Sequence, residues 1–131
     1  MPFELGKVLI VGAGGFVGSA LRYVLGGLVQ SAVAVSTFPY GTLFVNVSGC
    51  FVIGLLSQLF ESHSAFGPDS RAFLLLGVLG GYTTFSAFGN ETVNLLRDGQ
   101  PLAAGMNVGV QIVLGLLAVL LGRYMANLVW R

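Results

Sequence analysis

The sequence predicts an all-α integral membrane domain of four transmembrane helices, the third of them broken near its middle. Three observations carry that prediction. Only 8% of the 131 residues are charged and 55% are hydrophobic, with a mean hydropathy of +0.88, whereas soluble domains carry about 25% charged residues. The apolar residues gather into four long stretches, at about 8–28, 40–60, 72–96 and 102–121, so the chain 1–131 reads as one four-span membrane domain. Inside the third stretch, Gly80 to Phe88 reads Gly-Gly-Tyr-Thr-Thr-Phe-Ser-Ala-Phe, and two glycines followed by two β-branched threonines make a poor helical nucleus.

A break at membrane depth loses its i to i−4 hydrogen bonds, and lipid cannot replace them. It persists only where it is buried in protein or lines a wet cavity, which makes this one a candidate ion site. Beyond it, Phe85 and Phe88 lie three residues apart and share a helical face that Thr92 continues one turn later.

The first span, Val8 to about Leu28, is apolar except for Arg22 and follows a short head with Glu4 and Lys7. A signal peptide would have a net positive head and a cleavage site of small residues, and this apolar run continues too far for one. Gly14 and Gly18 form a small-xxx-small pair suited to close helix packing. Arg22 is costly in lipid, by roughly 2.5 to 3.5 kcal/mol on insertion scales; it is either an anchor that snorkels to the interface or an electropositive mouth for an anion. The stretch from Val29 to Pro39 reads as a linker, restarted by Pro39.

Tyr40 to Phe60 carries no charge and as a helix reaches about 31 Å, enough to cross a hydrocarbon core of about 30 Å. Asn46 is its costly residue, because an amide in lipid needs a partner or a polar pathway. Gly49 and Cys50 follow on the same face and keep it narrow. Asn46 is therefore either glue between helices or a lining of the ion path. Cys50 is the only cysteine, so no intrachain disulfide forms, and it reads as a small apolar residue within a span.

Glu61 to Arg71 reads as a polar loop, with Gly67-Pro68-Asp69 as its turn and His63 as a solvated residue. Glu91 stands one turn beyond Phe88, and Arg97, Asp98, Gly99 and Pro101 end the third span. In the fourth, Asn107 and Gln111 are four apart and share one face, and Arg123, Tyr124, Trp130 and Arg131 are interfacial anchors. With four spans both termini share one side. Lys7, Arg71, Arg123 and Arg131 then face Arg22 and Arg97 across the membrane, a weak orientation signal. The net charge of +1 gives no support for nucleic-acid binding. No Ser/His/Asp, Cys/His or paired-carboxylate set is present, so no enzyme is expected.

Gly15 to Tyr23 (GFVGSALRY), Gly41 to Gly49 (GTLFVNVSG) and Gly77 to Phe88 (GVLGGYTTFSAF), in this order on four spans, resemble the Fluc/CrcB family of fluoride channels over essentially the whole chain. The GGxTTFSxF core together with Asn46 carries most of the specificity. The chain departs from the family's pattern at Ala87, where Thr is frequent, at Gly89, where Ser is common, and at Gln111, where Ser or Asn is usual.

The resemblance implies an antiparallel, dual-topology homodimer in the bacterial inner membrane, with two fluoride pores and a structural sodium ion at the dimer centre. Gly80 and Thr83 would hold the sodium through backbone carbonyls. The implied ion pathway contains Asn46, Phe85, Phe88, Ser86, Thr84, Thr92, Glu91, Asn107, Gln111 and Arg22, with Asn46 offering its amide NH₂ to the anion. Fluoride would enter the cell as the neutral weak acid, ionise, and leave passively. Three readings compete. Glu91 in the third span suits a fluoride/proton antiporter. A small multidrug-type exporter would carry a carboxylate within span one, whereas Glu4 precedes it. A non-transporting assembly subunit would pass no ion.

Overall fold

The computed structural model describes residues 3–33, 36–64 and 66–130. Four long apolar helical segments meet the length and composition needed to cross a membrane. They comprise α1 (Leu5–Ala32), α2 (Tyr40–Ser62), a composite third span and α6 (Pro101–Val129). The third span begins with α3 (Pro68–Arg71), widens into a π-helical segment (Ala72–Leu79), and returns to α4 (Gly80–Tyr82). After an interruption it resumes as α5 (Phe85–Arg97).

The helices outrun the apolar stretches in two places where loops are expected. Val29 to Ala32 continue α1 rather than opening the linker, because no Gly or Pro interrupts them and Gln30 has helix-extending work. Its Nε2 donates to the carbonyls of Phe38 (3.1 Å) and Ser36 (3.4 Å), while its Oε1 accepts from the Gly41 N–H at 3.0 Å. One side chain thus closes the turn and satisfies a free donor in the first turn of α2. Gly67-Pro68-Asp69, expected as a turn inside a loop, is a helix start: Gly67 is the N-cap, Pro68 the first helical residue, and Asp69 faces the positive end of the dipole. α6 likewise runs on through Arg123 and Tyr124 to Val129. Arg131 lies outside the described residues.

The break falls on the threonines and not on the glycines. Gly80 is helical (φ −62°, ψ −36°), whereas Thr83 (φ −85°, ψ 158°) and Thr84 (φ −150°, ψ 117°) are extended. Gly81 serves packing instead, together with Gly18 of α1. A Cβ on Gly81 would lie 2.6 Å from the Gly15 carbonyl oxygen, and one on Gly18 would fall on the Val78 carbonyl. α1 and the third span therefore meet backbone to backbone, as the Gly14/Gly18 pair predicts: a Cβ on Gly14 would sit 2.9 Å from the Gly77 Cα.

α1 packs on the first half of the third span, and α2 packs along α6. A small core of Val45, Leu79 and Tyr82, flanked by Leu25, Ile53, Leu56 and Leu75, sits beside the break. α5 ends in a Schellman turn, with Gly99 at φ 72° and the N–H groups of Gly99 and Gln100 reaching back to Leu96 (3.1 Å) and Leu95 (2.8 Å). Pro101 then opens α6. At the opposite end, Arg123 clasps Glu61 through both terminal nitrogens at 3.1 Å, and Arg71 Nη2 donates to the Phe60 carbonyl at 2.7 Å.

Candidate functional site

The extended Thr83-Thr84 pair frees backbone groups that side chains then claim. Asn46, reaching across from α2, accepts the Thr84 N–H on Oδ1 at 2.7 Å and donates Nδ2 to the Thr84 carbonyl at 3.0 Å. The amide thereby pairs with both faces of one peptide residue, as a neighbouring strand would. Thr84 in turn caps α5, its Oγ1 accepting from the Ala87 N–H at 3.1 Å and lying 3.3 Å from Ser86 Oγ. A Cβ on Gly49 would fall on Thr83 Cγ2, so the narrow face predicted after Asn46 is what lets α2 approach the break.

From Asn46 a hydrogen-bonded ladder crosses to α6 and returns to α5. Asn46 Nδ2 also donates to Gln111 Oε1 at 2.9 Å. Gln111 Nε2 donates to Asn107 Oδ1 at 3.4 Å, and Asn107 Nδ2 to Thr92 Oγ1 at 3.0 Å. Thr92 finally donates to the Phe88 carbonyl at 2.7 Å. The shared face expected for Asn107 and Gln111 is present, and Asn107 is 0% exposed. Both hydrogens of the Asn46 NH₂ are engaged in this fold, one with Thr84 and one with Gln111.

Phe85 and Phe88 stack at the start of α5 with ring centroids 5.5 Å apart and planes at 59°. Phe85 is 83% exposed. Ser86, Asn90 and Asn94 follow at four-residue steps on the exposed side of the same helix.

Two cavities flank the break, and Thr84 lines both. One, of about 300 Å³, is bounded by Asn46, Gly49, Cys50, Gly80, Thr83 and Phe85 among others. The other, of about 440 Å³, brings Arg22 and Glu91 together with Ser19, Gln30, Thr42 and Ala87. Arg22 thus faces a polar opening within the fold. Glu91 Oε1 accepts from Thr42 Oγ1 at 2.7 Å, while its Oε2 is buried without a partner among the described residues. Thr42 escapes a reading of single costly residues, although it stands one helical turn before Asn46 on the same face and that spacing is its signal. Glu4, by contrast, is exposed ahead of α1 and pairs with Lys7 at 3.2 Å.

Among the described residues no cluster of three or more His, Cys, Asp or Glu side chains stands ready for a metal ion. Backbone oxygen is the available donor. The Thr84 N–H that would close on the Gly80 carbonyl is taken by Asn46, and the Ala87 N–H that would close on the Thr83 carbonyl is taken by Thr84 Oγ1. Both carbonyls belong to residues lining the 300 Å³ cavity, at the negative end of the first half-helix. Neutral oxygens in that position fit a hard monovalent cation.

A family model described as CrcB-like protein, Camphor Resistance (CrcB), matches residues 9–123. A protein of Elusimicrobium minutum is 46% identical over 125 residues, covering 95% of this chain and 97% of its own. One of Rhizobium meliloti is 45% identical over 118 residues, covering 90% and 94%, and one of Opitutus terrae is 48% identical over 120 residues, covering 90% of each. All three carry the name fluoride-specific ion channel FluC. With a match that runs through all four spans and the broken third helix between them, the chain belongs to the CrcB family.

Proposed function

We propose that this protein is a passive, fluoride-selective channel that lets cytoplasmic fluoride leave across the bacterial inner membrane. The observation that carries the reading is the ladder of neutral amides and hydroxyls from Asn46 through Gln111 and Asn107 to Thr92, beginning at a helix break between two cavities. A small anion needs hydrogen-bond donors in place of its water, and conduction needs each of them weak enough to let go. No fixed cation stands in the ladder to trap the ion. Arg22 gathers anions at the neighbouring opening, and the positive ring edges of Phe85 and Phe88, with Ser86 and Thr84, solvate the ion beside the break.

The working unit in this reading is an antiparallel homodimer with a pore in each half. Its support is the outer face of α5: Ser86, Asn90 and Asn94 are exposed within a membrane span, and amides facing lipid are unfavourable. A second copy or pore water must cover them. Gly80 and Thr83 carbonyls from both copies would hold one sodium ion at the dimer centre, joining the two broken helices.

A second reading, fluoride/proton antiport, is favoured by one observation, the buried Oε2 of Glu91, which has no partner among the described residues. Fluoride flux from proteoliposomes decides between them. A channel discharges a fluoride gradient rapidly and electrogenically without a pH gradient, and it continues to do so in Glu91→Gln. Antiport moves protons in fixed ratio and stops in that variant. Protein that reconstitutes as a dimer and passes no fluoride would overturn both.

A further inference from the structure

The direction of the ladder is set by backbone groups at both ends. The Thr84 N–H faces only an oxygen and its carbonyl only a donor, so Asn46 must present Oδ1 to the first and Nδ2 to the second. The second Asn46 hydrogen therefore meets an acceptor, Gln111 Oε1. At the far end the Phe88 carbonyl takes the Thr92 hydroxyl hydrogen, which leaves Thr92 Oγ1 to accept from Asn107. Read from either end the chain runs one way, with N–H donors pointing from Asn46 toward Phe88.

That order has a consequence for an anion. Both hydrogens of Asn46 already serve protein oxygens, so fluoride gains an Asn46 N–H only by taking an oxygen's place. Thr92 is held by Phe88, and Asn107 is fully buried. Gln111 is the mobile member: it is half-buried, rotates about three side-chain bonds, and keeps its other end on a long 3.4 Å bond. Exchanging its neutral oxygen for an anion replaces an ordinary amide hydrogen bond with a charge-assisted one, about twice as strong.

We infer that Gln111 is a built-in competitor for fluoride: its Oε1 occupies the Asn46 donor in the resting protein, and the ion conducts by displacing it. This rests on the channel reading above. Gln111 thereby sets the fluoride concentration at which the pore half-saturates.

The test is the fluoride dependence of flux in proteoliposomes for the full-length protein and for Gln111→Ser and Gln111→Met. Both substitutions withdraw the amide oxygen from Asn46, Met with nearly the same length and Ser with room to spare. Both should lower the half-saturating fluoride concentration by about fivefold, the equivalent of one net hydrogen bond of about 1 kcal/mol. A purely structural role would instead lower the number of active dimers and leave that concentration unchanged, an outcome that overturns the inference. So would a raised concentration in Gln111→Met, which would make the Gln111 N–H a ligand of the ion. If the unsubstituted protein passes no fluoride, the channel reading falls and this inference with it; if it conducts and only the variants disagree, the channel reading stands alone.

Discussion

Replacing Asn46 by Leu removes three hydrogen bonds at once, two to the Thr84 backbone and one to Gln111. Thr84 is only 9% exposed, so its N–H and carbonyl are left largely without water. An unsatisfied buried group costs about 1 to 3 kcal/mol; for the two together the expected destabilisation is about 2 to 6 kcal/mol, with the lower end favoured by the cavities that Thr84 borders. In the channel reading proposed above, the anion also loses the donor at the head of the ladder. Asn46→Leu should therefore unfold in detergent well before the parent protein and, where it reconstitutes as a dimer, pass fluoride at least about tenfold more slowly. The assays are thermal unfolding followed by size exclusion, and fluoride efflux read with a selective electrode. A variant with parental stability and parental flux would refute the reasoning, because neither the break nor the pathway would then depend on this amide.

Phe85→Ile and Phe88→Ile keep much of the apolar volume and lose the ring edge, so fluoride throughput should fall while cross-linking still reports dimers; loss of the dimer would reassign the rings to packing. Gly80 has open space around a would-be Cβ within one chain, its nearest neighbour being the Leu75 carbonyl oxygen at 3.9 Å, whereas Gly81 meets the Gly15 carbonyl oxygen at 2.6 Å. Gly81→Ala should consequently damage the folded chain itself, while Gly80→Val should spare the monomer fold and block dimer formation; dimers of Gly80→Val with full flux would remove the break from the dimer axis. Thr83→Ser keeps the hydroxyl that bonds the Leu79 carbonyl at 3.0 Å and keeps the backbone carbonyl, and its flux should stay close to parental. Exhaustive exchange of sodium for another monovalent cation should lower fluoride flux without changing selectivity among anions, and an external sodium gradient should drive no uphill fluoride; flux indifferent to sodium after prolonged incubation would argue against the carbonyl site.

Much of this protein was legible in one dimension because a membrane imposes simple rules on a chain. Four long apolar stretches can only be spans, and Pro-Gly punctuation between them marks where helices stop or start. The side-by-side placement of Asn107 with Gln111 and of Phe85 with Phe88 follows from helical periodicity alone, as does the close approach at Gly14 and Gly18. The family resemblance is carried by a few motifs whose residues are adjacent in the chain.

Tertiary structure decided whatever depends on a partner distant in sequence. Local propensity marks the whole run from Gly80 through Thr84 as a poor helical nucleus, yet Gly80 and Gly81 stay helical, Gly81 held close against the Gly15 backbone of α1. Within that run the break falls on Thr83 and Thr84, where an amide from another helix satisfies the exposed peptide groups of Thr84. Propensity counts only the local cost of a conformation, whereas the fold supplies the hydrogen bonds that offset it. The same limit applies to Asn46: sequence identifies a costly amide, but whether its hydrogens are free depends on Gln111 and Thr84, which only packing brings within reach. Arg22 and Glu91 are likewise far apart along the chain and share one cavity through the packing of α1 and α5 around α2. Composition and periodicity determine which faces are polar; which polar groups meet, and which of their bonds are already taken, is a property of three-dimensional contact.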